Sequence, residues 1–153
     1  MAWVRCCGGG GTSKKYIYKD GVLSVAIANY PYVPYTYRSA GYSRKTGTMT
    51  IVNNNLKFET VAGGTSFISD PIDVTDLSTI TINVASRGGG VIQAGFTGSG
   101  AVGDNYSEYN NIELQAGINI VSCSGLTGTY RLYFTICSYS APYTLEISEI
   151  MKM

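Results

Sequence analysis

The chain has 153 residues, of which 44% are hydrophobic and only 14% are charged, and it contains no histidine. This length suits a single globular domain with a substantial core, and the composition excludes a disordered chain. Without histidine, the chain has neither a Ser-His-Asp triad nor a histidine general base. We therefore predict that the protein is not an enzyme.

The net charge of +1 is unevenly distributed along the chain. Residues 1–45 contain seven basic side chains and one acid, whereas the remainder contains four basic side chains and nine acids. This asymmetry predicts a basic N-terminal arm and a mildly acidic body. Because the basic residues do not form a phosphate-binding cluster, we expect the arm to dock on protein and not on nucleic acid.

The sequence contains no apolar run long enough to span a bilayer, so we predict no membrane insertion. Its first residues, MAWVRCCGGGG, lack the apolar core of a signal peptide, and we expect synthesis in a cytoplasm. In that reducing compartment Cys123 and Cys137 are expected to be free thiols that pack as small hydrophobes. Without a CxxC pair, a structural zinc site is not expected.

Apolar and polar residues alternate with period two through most of the chain, which is typical of half-buried β-strands. The predicted strands are 21–28, 47–52, 56–59, 78–84, 91–96, 117–122, 130–136 and 143–150. A turn at 53–55 and glycine-rich clusters at 62–66, 87–90, 97–105 and 124–128 separate them. The pattern predicts an all-β fold, an antiparallel two-sheet jelly-roll β-sandwich over residues 16–153, with solvated outer faces.

Residues 1–15 show no such alternation, and we interpret them as an N-terminal arm with a glycine-rich, flexible linker. Trp3 and Arg5 are the candidate anchor of this arm. A tryptophan ahead of a flexible link suits an interface, because aromatic side chains often anchor one protein in another.

The stretches FISDPIDVTDLSTITINV (67–84), GINIVSCSGLTGTYRLYFTI (117–136) and YTLEISEIMKM (143–153) resemble the strand order of jelly-roll modules of the carbohydrate-binding type. The resemblance covers residues 47–150 and concerns core positions and turns, so it implies fold more than function. Such modules often hold a structural calcium near the chain termini. Glu146 and Glu149 are acids in that region, but neither is assigned as a ligand, and no cofactor is predicted.

A second, narrower resemblance comes from the leader MAWVRCCGG, the glycine-rich link and the KDG turn at Lys19–Gly21. Together they resemble small structural proteins of bacteriophages and prophages of Gram-positive anaerobes. This resemblance implies a non-enzymatic, tail-associated virion protein, assembled in the host cytoplasm, with other virion proteins and copies of itself as partners. The alternatives are a stand-alone carbohydrate-binding module and a capsid decoration protein.

Two motifs with catalytic or binding associations are interpreted as structural. The GxGxxG pattern at Gly98–Gly103 is not followed by a helical pattern, so it lacks the helix N-terminus that a dinucleotide phosphate needs. Asp70, Asp73 and Asp76 are expected to shape turns, with Asp76 as a cap, instead of forming a catalytic pair or a calcium site.

The candidate binding surface is the segment NYPYVPYTYRSAGYS at 29–43, where two prolines are expected to stiffen an extended chain. Tyrosine rings can stack on the C–H face of a sugar, while Tyr, Asn and Arg can hydrogen-bond its hydroxyls. A glycan surface, a contact between subunits and packing on the protein's own core are three open readings. The candidate residues are Tyr30, Tyr32, Tyr35, Tyr37, Arg38 and Tyr42, with Tyr106 and Tyr109 as a second group.

Overall fold

The computed structural model describes residues 15–139 and 143–153, and in these ranges thirteen strands and one short helix form two antiparallel sheets. The predicted all-β, two-sheet sandwich is confirmed. The elements in chain order are β1 (Tyr16–Lys19), β2 (Val22–Leu23), β3 (Ile27–Tyr30), α1 (Tyr35–Ser39), β4 (Thr48–Val52), β5 (Asn55–Thr60), β6 (Gly63–Ser69), β7 (Ile72–Asp73), β8 (Thr79–Arg87), β9 (Val91–Gly98), β10 (Tyr109–Glu113), β11 (Gly117–Ser122), β12 (Thr129–Ser138) and β13 (Tyr143–Lys152).

The first sheet has the strand order β10-β9-β12-β6-β3, with β7 paired to the start of β12. The second sheet has the order β11-β8-β13-β1-β2, and β5 pairs with both β13 and β4. Strand β13 is central, because β8 lies along one of its edges and β5 and β1 share the other. From β8 to β13 the chain changes sheet four times, so apart from β9 and β10 the hydrogen-bonded neighbours among these strands are not consecutive in sequence.

The core lies between the two sheets and is built from the inward positions of the alternating pattern. Phe58 of β5 stacks on Phe67 of β6 with ring centroids 4.3 Å apart, and Phe134 of β12 lies 5.2 Å from Phe58. These three rings join the second sheet to the first. The alternation also places Leu23, Val25, Ile51 and Tyr130 inward, but Ile51 is 47% exposed and the other three are only partly buried. The inward positions of the predicted strands that are buried include Leu56, Phe58, Ile80, Ile82, Val84, Ile92, Ala94, Phe96, Leu132, Phe134 and Ile136.

Two turns predicted from the sequence are confirmed. Asn53 and Asn54 join β4 to β5 with φ values of 52° and 62°, the left-handed conformation that asparagine tolerates in a two-residue hairpin turn. Asp20 and Gly21 join β1 to β2 in the same way, with φ values of 51° and 82°. Both turns therefore depend on residues that adopt positive φ at low cost.

The predicted strand at 21–28 is wrong as a single element. Its first part is β2 in the second sheet and its last part is β3 in the first. Between them, the backbone N–H of Ser24 donates to the carbonyl of Ile17 (2.8 Å), and the Ser24 hydroxyl donates to the carbonyl of Tyr16. These local bonds turn the chain out of one sheet toward the other, which periodicity alone does not reveal.

Two predicted loops contain strands. The glycine-rich cluster at 62–66 lies largely within β6, whose seven residues are all buried, and the segment after 105 contains the edge strand β10. A β-carbon at Gly64 would lie 2.8 Å from Cγ1 of Val33, so glycine here permits another segment to approach the sheet. In this cluster glycine marks close packing and not a turn.

The expectation that both outer faces are solvated is wrong for the first sheet. Tyr133 and Thr135 point away from the core, yet both are fully buried. Residues 30–44 and 99–108 cover this face as a third layer. Cys123 and Cys137 are buried free thiols, as predicted. Burial raises the pKa of the Cys137 thiol to about 12.

The predicted arm at 1–15, with Trp3 and Arg5, falls outside the described residues except for Lys15. Within the described residues, no helix is long and apolar enough to cross a bilayer.

We expect Phe67→Ala to lower the free energy of unfolding by about 3–5 kcal/mol, because it removes the ring that joins the sheets and leaves a cavity. Urea denaturation followed by circular dichroism measures this change. Val22→Ala is the control, since Val22 is a strand residue that is 65% exposed and its truncation should change stability by less than about 0.5 kcal/mol. Equal losses in the two variants would contradict this role of Phe67.

Candidate functional site

The candidate site lies on the covered outer face of the first sheet. On this face Ser66 of β6, Thr135 of β12 and Gln93 of β9 form one row across three neighbouring strands. Ile68 and Tyr133 form the next row. Small and polar side chains in the first row leave room for the two covering segments to lie directly against the sheet.

Tyr106 fastens one covering segment to the sheet. Its hydroxyl shares hydrogen bonds of 2.6 Å with Ser66 and with Thr135, and its ring packs edge-on against Tyr133. Ser66 has one hydroxyl hydrogen and donates it to the carbonyl of Tyr32, so it accepts from Tyr106, which in turn accepts from Thr135. Every hydroxyl in this buried chain is satisfied.

Burial raises the pKa of Tyr106 and of Tyr133 above the ordinary value for tyrosine. Asn111 donates a hydrogen bond to the Tyr133 hydroxyl, and Glu108 lies 3.5 Å from it. Burial also raises the pKa of Glu108. The two tyrosines are therefore neutral near neutral pH, and their hydroxyls act as hydrogen-bonding groups within the buried cluster.

Tyr30 and Tyr32 line the other side of this cluster, with ring centroids 6.1 Å apart, and pack against Ile68, Tyr106 and Tyr133. Both remain partly exposed. Each of these two rings therefore packs on the protein on one side and keeps part of its surface exposed to solvent.

The second half of the tyrosine segment is helical, so the predicted extended form over 29–43 is wrong from Tyr35 onward. Pro34 keeps an extended conformation, with φ −56° and ψ 153°, and Tyr35–Ser39 then form the single helical turn α1. Because a helix does not repeat every two residues, Tyr35 and Tyr37 do not share a face. Tyr35 is 61% exposed, whereas Tyr37 is half-buried and donates to Gln93.

Aromatic contacts hold α1 in place. Tyr42 packs edge-on against Tyr37 and stacks on Tyr139, with centroids 4.2 Å apart and the planes 18° from parallel. The hydroxyl of Tyr139 donates to the carbonyl of Ala40 at 2.7 Å. The helix is therefore fixed at its C-terminal end by two tyrosines.

The exposed ring of Tyr35 and the half-buried side chain of Arg38 lie together on α1. The guanidinium carbon of Arg38 lies 5.7 Å from the centroid of the Tyr35 ring, within the range of a cation–π contact. The backbone N–H of Tyr35 donates to Oδ1 of Asn105 at 2.9 Å. This bond and the ion pair between Arg44 and Asp104 join the helix segment to the glycine-rich loop after β9.

A cavity of about 370 Å³ lies in that loop, directly beside Asn105. The open space around Gly98, Gly100 and Gly103 leaves the backbone of the loop accessible, since a β-carbon at any of them would meet nothing within 4 Å. The GxGxxG pattern thus forms a cavity wall, not a phosphate loop before a helix. The cavity is lined by Thr97, Gly98, Gly100, Ala101, Gly103, Asn105, Tyr106 and Ser107.

The structure brings most of the candidate residues to this one face, as Tyr30, Tyr32, Tyr35, Tyr37, Arg38, Tyr42 and Tyr106 all lie there. Tyr109 does not belong to the group. It pairs across the strands with the inward residue Phe96 and packs edge-on against Tyr130. A β-bulge between 94 and 96 separates the environment of Tyr109 from that of Tyr106.

Several residues of the face are not identified by the sequence pattern, namely Gln93, Asn105, Asn111, Tyr133 and Tyr139. In the alternating pattern, Tyr133 and Gln93 look like ordinary outward residues of solvated strands. No signal in the sequence marks which outward face acquires a third layer.

The acidic residues in DPIDVTD shape a turn. Asp73, not the predicted Asp76, accepts a hydrogen bond from the backbone N–H of Thr75 at 3.0 Å. This bond lowers the pKa of Asp73. Among the residues that the structure describes, no three His, Cys, Asp or Glu side chains are grouped to hold a metal ion.

Comparison with known proteins identifies the fold and no family. No protein-family model and no curated protein matches the chain. Among solved structures, CBM86, a low-affinity xylan-binding module from the gut symbiont Roseburia intestinalis, is similar with a TM-score of 0.54. The alignment covers 84% of this chain and 94% of that chain at 11% identity. The chain therefore has the β-sandwich fold of a carbohydrate-binding module, and an identity this low speaks for the fold alone.

We expect Tyr106→Phe to lower the free energy of unfolding by about 1–3 kcal/mol, because Thr135 loses its buried acceptor. Tyr35→Phe is the matched control, since the exposed hydroxyl of Tyr35 has no partner in the described structure, and it should leave the denaturation midpoint unchanged. Equal effects of the two changes would contradict the buried hydroxyl network.

Tyr106→Phe should also change how the free energy of unfolding depends on pH. A tyrosine whose pKa is raised by folding stabilises the protein fully below about pH 10, and this contribution is lost as the pH rises beyond that value, because the unfolded chain ionises first. Unfolding free energies measured from about pH 8 to about pH 11 should thus fall more steeply for the parent than for Tyr106→Phe.

Proposed function

We propose that this protein is a non-catalytic carbohydrate-binding module whose ligand surface is the outer face of the first sheet. The observation that carries the proposal is the exposed Tyr35 ring, held with Arg38 beside the loop cavity on a rigidly packed support. The shared fold with a xylan-binding module supports the same reading.

The support limits the entropy lost on binding. Tyr37 donates a hydrogen bond to Gln93, and Tyr42 stacks on Tyr139. Because of these contacts, the backbone that presents Tyr35 is already fixed in the unliganded protein. A preorganised aromatic side chain has only its own few rotamers to lose when it stacks on a sugar.

The polar groups around Tyr35 suit a sugar edge. Asn105 accepts from the Tyr35 backbone with its oxygen, and its amide nitrogen has no partner among the described residues. The loop backbone around Gly100 and Gly103 adds accessible polar groups at the cavity wall. A ring that stacks on Tyr35 would place its hydroxyls within reach of these donors and acceptors.

The test is affinity electrophoresis and calorimetry with xylan and with purified bacterial cell-wall polysaccharides. We expect the parent to bind at least one of them and Tyr35→Ala to bind at least about tenfold more weakly, because the stacking surface is lost. Tyr109→Ala is the matched control, since Tyr109 is 42% exposed but packs on the opposite side of the sheet, and it should bind as the parent does.

Failure of the parent to bind any of these glycans would contradict the proposed function. Unchanged binding by Tyr35→Ala would move the site away from α1. Denaturation midpoints of both variants show whether they remain folded.

A second candidate function is self-assembly, which the predicted virion role would also require, and the observation that favours it is the edge strand β11 of the second sheet. Ile118 and Ile120 are 69% and 59% exposed on its outer side, and its sequence GINIVS contains no charge and no proline. Exposed edge strands of soluble proteins usually carry a charged residue or a proline, which prevents them from pairing with another strand. We propose that two copies of this chain pair through β11, as a structural protein that assembles with itself would require.

Light scattering after size exclusion tests this pairing. We expect the parent to form dimers or larger oligomers and Ile120→Lys to be a monomer, because a lysine on an edge strand disfavours pairing with another strand. Val22→Lys is the control, since Val22 is also exposed on the second sheet but lies at its far edge on β2, and it should not change the mass. A monomeric parent would contradict the pairing.

A further inference from the structure

Arg38 differs from the other three arginines in the described residues, Arg44, Arg87 and Arg131, because its guanidinium has no polar partner there. Arg44 forms an ion pair with Asp104, and Arg87 lies 3.5 Å from Glu113 and donates to backbone carbonyls. Arg131 donates to the carbonyl of Gly100 at 3.1 Å. Within the described part of the chain, no ion pair or hydrogen bond satisfies the side chain of Arg38.

The Nε atom of Arg38 is also the one buried side-chain nitrogen or oxygen in the described residues that lacks a hydrogen-bond partner. Buried polar groups in proteins are nearly always satisfied, so this exception marks a guanidinium that the described residues do not hold by hydrogen bonds. The terminal nitrogens of Arg38 are not buried, so a ligand can approach them.

The carboxylates on the same face are not available to Arg38. Asp104 is neutralised by Arg44. Glu108 lies 3.5 Å from the Tyr133 hydroxyl and Glu113 lies beside Arg87, and neither forms an ion pair with Arg38. Arg38 is thus a guanidinium without an ion pair in the described residues, directly beside the exposed ring of Tyr35.

We propose that the glycan recognised at this site is acidic, with a uronic acid residue whose carboxylate binds Arg38 while its ring stacks on Tyr35. Guanidinium and carboxylate are planar groups that form two parallel charge-assisted hydrogen bonds, so this pairing selects an acid over a neutral sugar. The inference rests on the proposed carbohydrate-binding function and specifies the chemical class of its ligand.

The experiment compares acidic polysaccharides with a neutral form of the same backbone. Polygalacturonate, alginate and hyaluronate are the acidic probes, and fully methyl-esterified polygalacturonate is the neutral counterpart. We expect the parent to bind at least one acidic probe. If polygalacturonate is bound, its affinity should be about tenfold higher than that of the methyl ester. Raising the salt concentration should weaken binding of the acid but not of neutral xylan.

Arg38→Gln should remove the preference for the acid, so that the acid and its ester bind to this variant with equal affinity. Arg38→Lys is the matched control for charge, and it should retain part of the preference because lysine keeps the charge but not the planar fork. Denaturation midpoints establish that both variants are folded.

The outcomes separate this inference from the proposed function. Equal binding of acid and ester, or binding of neutral xylan alone, would overturn the inference and leave the carbohydrate-binding function intact. Binding of poly-L-glutamate as tight as that of the acidic glycans would also overturn it, since charge without a sugar would then suffice. No binding to any glycan would overturn both.

Discussion

The contact of Phe58, Phe67 and Phe134 across the interior is the interaction on which the rest of the structure depends, because it joins strands of both sheets. Each sheet has an apolar inner face that is stable only when it is covered by the other. With the inner faces packed, the register of β6 and β12 is fixed, and so is the set of side chains that point outward on the first sheet. The candidate site is built on that outward set.

That outward set accepts a third layer because its members are small or can form hydrogen bonds. At Gly95 a β-carbon would lie 2.9 Å from the Tyr133 hydroxyl, and at Gly64 it would strike Val33. Ser66 and Thr135 then satisfy the hydroxyl of Tyr106, so the cover is fixed by specific bonds as well as by apolar contact. A rigid cover explains how a one-turn helix, which would not be stable alone, can present an exposed aromatic ring.

The tyrosine segment shows how much of the candidate site can be predicted from the sequence. The density of aromatic side chains and prolines at 29–43 is enough to single it out, and Tyr106 stands out in the same way. That the two groups meet is not predictable, since Tyr35 and its partner Asn105 are seventy residues apart. The extended form predicted for the whole segment fails at α1, because prolines restrict their own position and not the residues that follow.

The sequence by itself determined the all-β sandwich, the inward positions of its strands and the left-handed turns at Asp20 and Asn53, because periodicity and local backbone preferences act between near neighbours. Only the tertiary structure decided which outward face is covered and which tyrosines are left exposed. It also decided that Arg38 has no ion pair or hydrogen bond for its side chain among the described residues, whereas Arg44 pairs with Asp104. Those outcomes depend on how segments distant in the chain pack against one another, and local patterns carry no information about such contacts.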